Sequence, residues 1–377
     1  MDWKIPLFKI AWDEEDILAI GGVIRSGMNW SSGPEIGEFE RLIEEYTGAQ
    51  FAVTFNSGTS ALHALLLAHG VGGGDEVIVP SFTFISTANS VLFTGAKPVF
   101  ADIEPGTYGL DPDDVMARIT PKTRCIIPVH YGGCPCGIRA LADIAEDHGL
   151  ILVEDAAEAF GATIGKRQVG TFGDSAMLSF CQNKIITTGE GGAAVTGSRE
   201  IAEKLRLIRS HGRLETCNYF STNAPMNYIT LGYNYRLSTI SAALGITQLK
   251  RARHLTEERR RIAMHYRMRL RELSPRCLIK EPPAGYGHVY QIFSVEVDGR
   301  EGLMKALEKD GIMSKVYFPP VHRSHYYRQV LGYNLTLPVT ERVAERILTL
   351  PCYPTMQEKE VDMVAASMRS FYTEGDA

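Results

Sequence analysis

Long apolar runs are missing from this chain. No stretch approaches 18 apolar residues, which argues against a membrane-spanning helix. The N-terminus, Met1-Asp2-Trp3-Lys4-Ile5-Pro6, lacks the apolar stretch of a signal peptide. Cysteine is sparse and odd in number, seven residues at 125, 134, 136, 181, 217, 277 and 352. That pattern predicts free thiols and a cytoplasmic location rather than a disulfide framework. Excess positive charge is absent too: 39 Lys and Arg stand against 44 Asp and Glu, a net charge of −5. The one basic run, Lys250-Arg251-Ala252-Arg253 with Arg259-Arg260-Arg261, falls on a predicted helix and reads as a solvated face. A nucleic-acid-binding chain would carry a basic stripe. Cys134-Pro135-Cys136 near His130 has no second pair of ligands, so no metal site is expected. Gly72-Gly73-Gly74 lacks the Lys-Ser/Thr of a phosphate loop, and no Gly-x-Ser-x-Gly elbow appears.

Alternating strand and helix patterns fill the first two thirds. Strands are expected at Phe51–Phe55, Glu76–Val79, Pro98–Ala101, Cys125–Val129, Leu150–Val153 and Ala176–Phe180. Helices are expected at Thr59–Ala68, Ser86–Phe93 and Gly137–His148. The strand runs are apolar throughout rather than alternating, as in a mainly parallel sheet covered on both faces. This predicts an α/β domain over residues 1–247. A long helix from Leu237 to Leu273 should lead into a smaller α+β domain over 248–377. That domain is read as strands His288–Val297 and Ser314–Tyr317, with helices Glu301–Lys309, Glu341–Leu348 and Gln357–Phe371.

Three motifs carry chemistry. Asn56-Ser57-Gly58-Thr59-Ser60 lies between a strand and a helix, where small residues and free N–H groups suit a phosphate, although Ser57 or Thr59 could be a plain helix cap. Glu154-Asp155 leaves the end of a buried strand, where α/β sheets place ligands. Asp155 would need a cation there, or else serves as a turn cap. Lys184 follows the strand ending at Ser179-Phe180 and precedes Gly189-Glu190-Gly191-Gly192; a lysine so placed can act as a nucleophile toward a carbonyl. Each motif alone is ambiguous, but their order within one α/β domain narrows the reading.

With these motifs the chain resembles the DegT/DnrJ family of sugar aminotransferases, among the fold-type I pyridoxal-phosphate enzymes. The resemblance extends through Trp30-Ser31-Ser32-Gly33, Pro80-Ser81-Phe82-Thr83-Phe84 and Pro128-Val129-His130-Tyr131-Gly132. It continues through Gly170-Thr171-Phe172-Gly173-Asp174, Gly232-Tyr233-Asn234-Tyr235-Arg236 and Tyr317-Phe318-Pro319-Pro320-Val321-His322. It implies a sheet of the seven-stranded type and pyridoxal 5′-phosphate as cofactor. By this resemblance Lys184 holds the cofactor and moves the proton, and Asp155 partners its ring nitrogen. Ser57, Gly58, Thr59 and Ser179 match phosphate contacts, Phe84 matches a ring-stacking aromatic, and Asn234 matches a residue reaching the neighbouring subunit's phosphate. A homodimer with shared sites follows. His211, Tyr317 and His322 match positions near the substrate.

Glu158 stands where many relatives carry Gln or His. With Ile186-Thr187-Thr188-Gly189-Glu190-Gly191-Gly192 it resembles the perosamine-forming branch. Beside Asp155 it is expected to raise one carboxyl pKa near the cofactor hydroxyl. Ser238-Thr239 and Cys181-Gln182-Asn183 depart from the family pattern and bear on the substrate pocket. The implied reaction moves an amino group from glutamate or glutamine to a keto-sugar nucleotide, most simply a 4-keto-6-deoxyhexose. A keto-cyclitol acceptor, a dehydratase on the same fold and a non-catalytic regulator are the alternatives. Dehydratase relatives replace the lysine with histidine, so Lys184 argues against the second of these.

Overall fold

The computed structural model describes residues 3–214, 223 and 225–374; Cys217 lies outside them. Its centre is a seven-stranded sheet. In chain order the strands are β1 (Phe51–Phe55), β2 (Glu76–Pro80), β3 (Lys97–Ala101), β4 (Thr123–Ile126), β5 (Ile151–Asp155), β8 (Ser175–Ser179) and β9 (Gly192–Thr196). Two short strands, β6 (Thr163–Ile164) and β7 (Arg167–Gln168), form a ribbon with β11 (Tyr286–Gly287). The sheet order is β1-β9-β8-β5-β4-β2-β3; only β9 runs antiparallel to its neighbours. The C-terminal ends of β1, β2, β5 and β8 therefore share one edge.

Helices cover the sheet because their ends and faces are well specified. α1 (Glu14–Ser26) opens with a capping box between Asp13 and Asp16 and closes on Gly27 in the left-handed region. α2 (Pro34–Thr47) has proline at its first turn. α3 (Gly58–Ala68) starts at Ser57, whose side chain accepts from the Ser60 N–H. α4 (Ser86–Phe93), α5 (Pro112–Arg118), α6 (Ile138–His148) and α7 (Arg199–Arg209) complete the layers. The core joins Val53, Phe55, Leu62, Leu65, Val77, Val79 and Val153, each fully buried.

The smaller unit holds a three-stranded sheet of β10 (Cys277–Leu278), β12 (Phe293–Val297) and β13 (Ile347–Leu350). Around it pack α10 (Arg300–Lys309), α11 (Pro338–Arg346) and α12 (Glu358–Glu374).

Several expected elements change here. The helix expected over Leu237–Leu273 is two helices, α8 (Thr239–Lys250) and α9 (Ala252–Leu270), hinged at Arg251. The Arg251 guanidinium is tied to Asp13 at 2.6 Å and Asp16 at 2.5 Å, while α9 packs on α12. The division expected after residue 247 thus falls inside α8. Residues 288–292 are not strand, because the N–H groups of Val289 and Ile292 bond the carbonyls of Gly133 and Gly132. Ser314–Tyr317 forms only a bridge at Lys315 to Thr349. The helix expected to reach Leu348 stops at Arg346, and Ile347–Leu350 pairs with β12. Ile5, counted with the large domain by sequence, packs in the core of the smaller unit and exchanges backbone hydrogen bonds with Gly311 and Met313.

Candidate active site

The shared edge of β1, β5 and β8 gathers the three sequence motifs. Phe55 and Ser179 both pair with Gly192, so β1, β9 and β8 end in one row. α3 begins three residues past the end of β1, and its first amides, on Gly58 and Thr59, have no partner within the helix. The space is narrow. A Cβ on Gly58 would come within 2.9 Å of Met177 Sδ and 3.1 Å of Ser179 Cβ. A Cβ on Gly192 would lie 2.5 Å from the Gly58 nitrogen. This backbone cradle fits a phosphate at a helix N-terminus. Gly192→Ala should therefore displace the first turn of α3 and weaken binding of a phosphate-bearing cofactor by about tenfold or more. Fluorescence titration of cofactor-free protein would check it, and wild-type affinity would contradict it.

Asp155 ends β5 at 4% exposure. Its Oδ2 accepts from Thr87 Oγ1 at 2.8 Å and its Oδ1 from the Ala157 N–H at 3.1 Å. Among the described residues no Lys, Arg or His lies within ion-pair range of it. Burial pushes this carboxyl above its ordinary value; the Thr87 and Ala157 bonds and the Lys184 charge oppose the rise, and Glu158 adds to it. A buried carboxylate held by a hydroxyl and an amide fits a protonated pyridine nitrogen, which would supply the missing cation.

Lys184 follows β8, with its side chain 14% exposed and its Nζ 3.6 Å from Glu158 Oε1. Glu158 is buried, and its Oε2 accepts the Gly132 N–H at 2.8 Å. The Asn183 carbonyl, next to the lysine, accepts from Gln291 Nε2. Glu158→Gln would keep an acceptor for Gly132 and remove the negative charge beside Lys184. A titration of cofactor absorbance should then move to lower pH by roughly one unit, because an adjacent anion favours the protonated nitrogen. An unchanged profile would count against Glu158 acting there.

The other predicted residues are placed as follows. Ser57 caps α3, Thr59 is half-buried in its first turn, and Ser179 is buried beside Gly58. Phe84 is 57% exposed, with its ring 6.0 Å from Phe318. Asn234 is exposed beside the cradle, where its carbonyl accepts from Asn56 Nδ2 at 3.5 Å. Tyr317 is half-buried, and burial and the Glu158 charge raise its pKa. His211 is exposed with a φ of 61°. His322 is instead interior at 3% exposure, bonded to Ser81 Oγ at 2.6 Å and Glu341 Oε1 at 3.2 Å. A ring so engaged braces the Pro80–Ser81 segment and presents little surface to a substrate.

Sequence reasoning gave no site role to Thr87, Gly132 or Gln291. Thr83, in the bend before α4, and Thr87, in its first turn, gave the only local hint of a hydroxyl pair. Gly132 and Gln291 reach the site through distant turns. Six free thiols are described, and among the described residues no cluster of three or more His, Cys, Asp or Glu is arranged to hold a metal.

The whole chain is similar to known proteins of one family. A model of the DegT/DnrJ/EryC1/StrS aminotransferase family spans residues 11–369. Spore coat polysaccharide biosynthesis protein SpsC of Bacillus subtilis is 36% identical over 388 residues, covering 100% of this chain and 98% of its own. DesV of S. venezuelae superposes with a TM-score of 0.90 at 34% identity, covering 97% of this chain and 98% of its own. The PLP form of Spr1654 from Streptococcus pneumoniae, a sugar aminotransferase by description, gives 0.91 at 27% identity over 98% and 99%.

Proposed function

This chain belongs to the DegT/DnrJ/EryC1/StrS aminotransferase family and is a pyridoxal-phosphate-dependent aminotransferase, and we propose that it aminates a keto-sugar nucleotide, most simply a 4-keto-6-deoxyhexose, using glutamate or glutamine. The observation that carries the proposal is the convergence of Lys184, Asp155 and the Ser57–Thr59 cradle on one sheet edge. The sugar acceptor is supported by the full-length likeness to SpsC, a polysaccharide biosynthesis protein, and to DesV. The Glu158 motif supports the perosamine-like acceptor.

The cofactor, when bound, supplies an electron sink for carbanion chemistry. The chain's own groups do the rest. The Gly58 and Thr59 amides, with Ser57 and Ser179, hold the phosphate. Asp155 keeps the ring nitrogen protonated. Lys184 would hold the cofactor through Nζ and, once the donor's amine has displaced it, its free amine would take the proton from the donor's α-carbon. The same lysine returns a proton to the acceptor sugar carbon in the second half-reaction. Glu158 would orient the lysine through its contact with Nζ.

Asn234 is exposed beside the cradle, and Tyr228, Ile229 and Leu231 expose apolar side chains just before it. This surface supports a homodimer in which each Asn234 reaches the partner's phosphate. We place the enzyme in the cytoplasm; among the described residues no helix is long and apolar enough to cross a membrane.

The test is the absorbance spectrum of protein with pyridoxal phosphate, before and after glutamate, followed by a panel of keto-sugar nucleotides. A cofactor band that glutamate bleaches and a keto-sugar nucleotide restores supports the proposal. Restoration only by a keto-cyclitol would overturn the acceptor assignment.

A further inference from the structure

Two carboxylates leave β5, and the chemistry above uses only Asp155. Glu154 points to the opposite face of the strand and is fully buried. Its Oε1 accepts the N–H groups of Phe172 at 2.6 Å and Gly173 at 2.8 Å. Its Oε2 accepts the Gly170 N–H at 2.7 Å and lies 2.9 Å from His130 Nε2. Four N–H groups converge on this side chain, which suits an acceptor-only carboxylate.

His130 is equally buried, and its two ring nitrogens have different partners. The Cys136 N–H donates to Nδ1 at 3.1 Å, so the ring proton sits on Nε2 and points at Glu154. The pair thus fixes one tautomer and one ring orientation. The His130 backbone is fixed as well, its N–H donating to the Asp155 carbonyl at 3.1 Å.

Next comes a tight turn. Gly132 and Gly133 have φ of 64° and 95°, and a Cβ on Gly133 would meet the Glu158 carbonyl at 2.9 Å. The turn delivers the Gly132 N–H to Glu158 Oε2, whose other oxygen faces Lys184 Nζ. A continuous path therefore runs from Glu154 through His130 and the 130–133 turn to Glu158 and the lysine.

We propose that Glu154 and His130 are a positioning pair, which sets the Gly132 amide and through it the placing of Glu158 against Lys184. This rests on the reading of Lys184 as the reacting group. Both residues of the pair are fully buried.

Two isosteric changes separate the bonds of the ring. In His130→Gln the amide nitrogen takes the place of Nε2 and still donates to Glu154. In His130→Asn the carbonyl takes the place of Nδ1 and meets Cys136, but the Glu154 bond is lost. His130→Asn should lower kcat by about 30-fold with KM for glutamate changed less than about threefold, as expected of lost positioning rather than lost binding. In cofactor-free protein its Gly132 amide should exchange with solvent about tenfold faster. His130→Gln should restore both readings to within about threefold of wild type. If His130→Asn melts at lower temperature yet keeps wild-type kcat and Gly132 exchange, the pair only holds the fold and the proposal fails. If His130→Asn does not fold, Glu154→Gln decides by the same two readings: lowered kcat with faster Gly132 exchange upholds the proposal, and wild-type values of both overturn it. Failure of the Lys184 reading would show separately, as turnover retained by Lys184→Ala while Gly132 exchange still responds to His130→Asn.

Discussion

Lys184→Ala should lose turnover by about a thousandfold or more, since a nucleophile that also moves the proton has no substitute of similar reach in the described site. Lys184 stands in the turn that follows β8, close to Glu158 and on the same edge as Asp155. Alanine there removes the amine but leaves β8, the Asn183–Gln291 hydrogen bond and the phosphate cradle in place. The expected stability change is small. The Lys184–Glu158 contact is long at 3.6 Å, and Glu158 keeps its bond from Gly132. The melting temperature should move by roughly 4 °C or less, the range that about 1 kcal/mol produces. Steady-state kinetics beside a thermal melt would check both parts. Turnover retained in folded Lys184→Ala would remove Lys184 from the mechanism.

Asp155→Asn should separate function from stability in the opposite direction. The carboxyl is buried, and its folded pKa is raised above the ordinary 3.8. A folded acid with a raised pKa holds its proton longer than the unfolded chain does. The cofactor-free protein therefore loses stability as pH rises from 3.8 through the raised value, and at neutral pH it carries the cost in full. Asparagine does not ionise. Its amide oxygen can accept from Ala157, and its NH₂ can donate to Thr87, whose hydroxyl rotates against Thr83. Cofactor-free Asp155→Asn should be as stable as wild type at neutral pH, or more stable by about 1 kcal/mol. The fall in stability across that pH window should flatten. The loaded enzyme should lose about 100-fold or more in kcat, because an amide does not hold the ring nitrogen protonated. Chemical denaturation at several pH values, with and without cofactor, would check this. A cofactor-free variant less stable than wild type would mean that the Asp155 charge already has a stabilising partner.

Six strands and three helices between residues 51 and 180 were legible because each signal is local, whereas α1, α2, α5, β6 and β7 were not read. Continuous apolar runs such as Val77-Ile78-Val79 mark buried strands, and Ser57 marks a helix start. β9 was missed because Gly192-Ala193-Ala194-Val195-Thr196 has little side-chain signal; its place follows from the pairing of Gly192 with Phe55 and Ser179. The Arg251 break was hidden because Asp13 and Asp16, far away in sequence, anchor that side chain. At the site, Lys184, Asp155 and the cradle could be read from strand ends. Thr87, Gly132 and Gln291 could not, since each bonds across a large sequence separation.

By itself, the sequence determined the α/β class, the family, the cofactor and the residues that bear chemical groups, because these rest on residue type and short spacing. Tertiary structure decided which of those residues meet. It put Glu158 against Lys184, left Asp155 without a basic partner among the described residues, drew His322 into the interior and moved Ile5 to the smaller unit. The reason is physical: burial, hydrogen bonding and close backbone approach depend on where distant segments lie in space, which local periodicity does not encode.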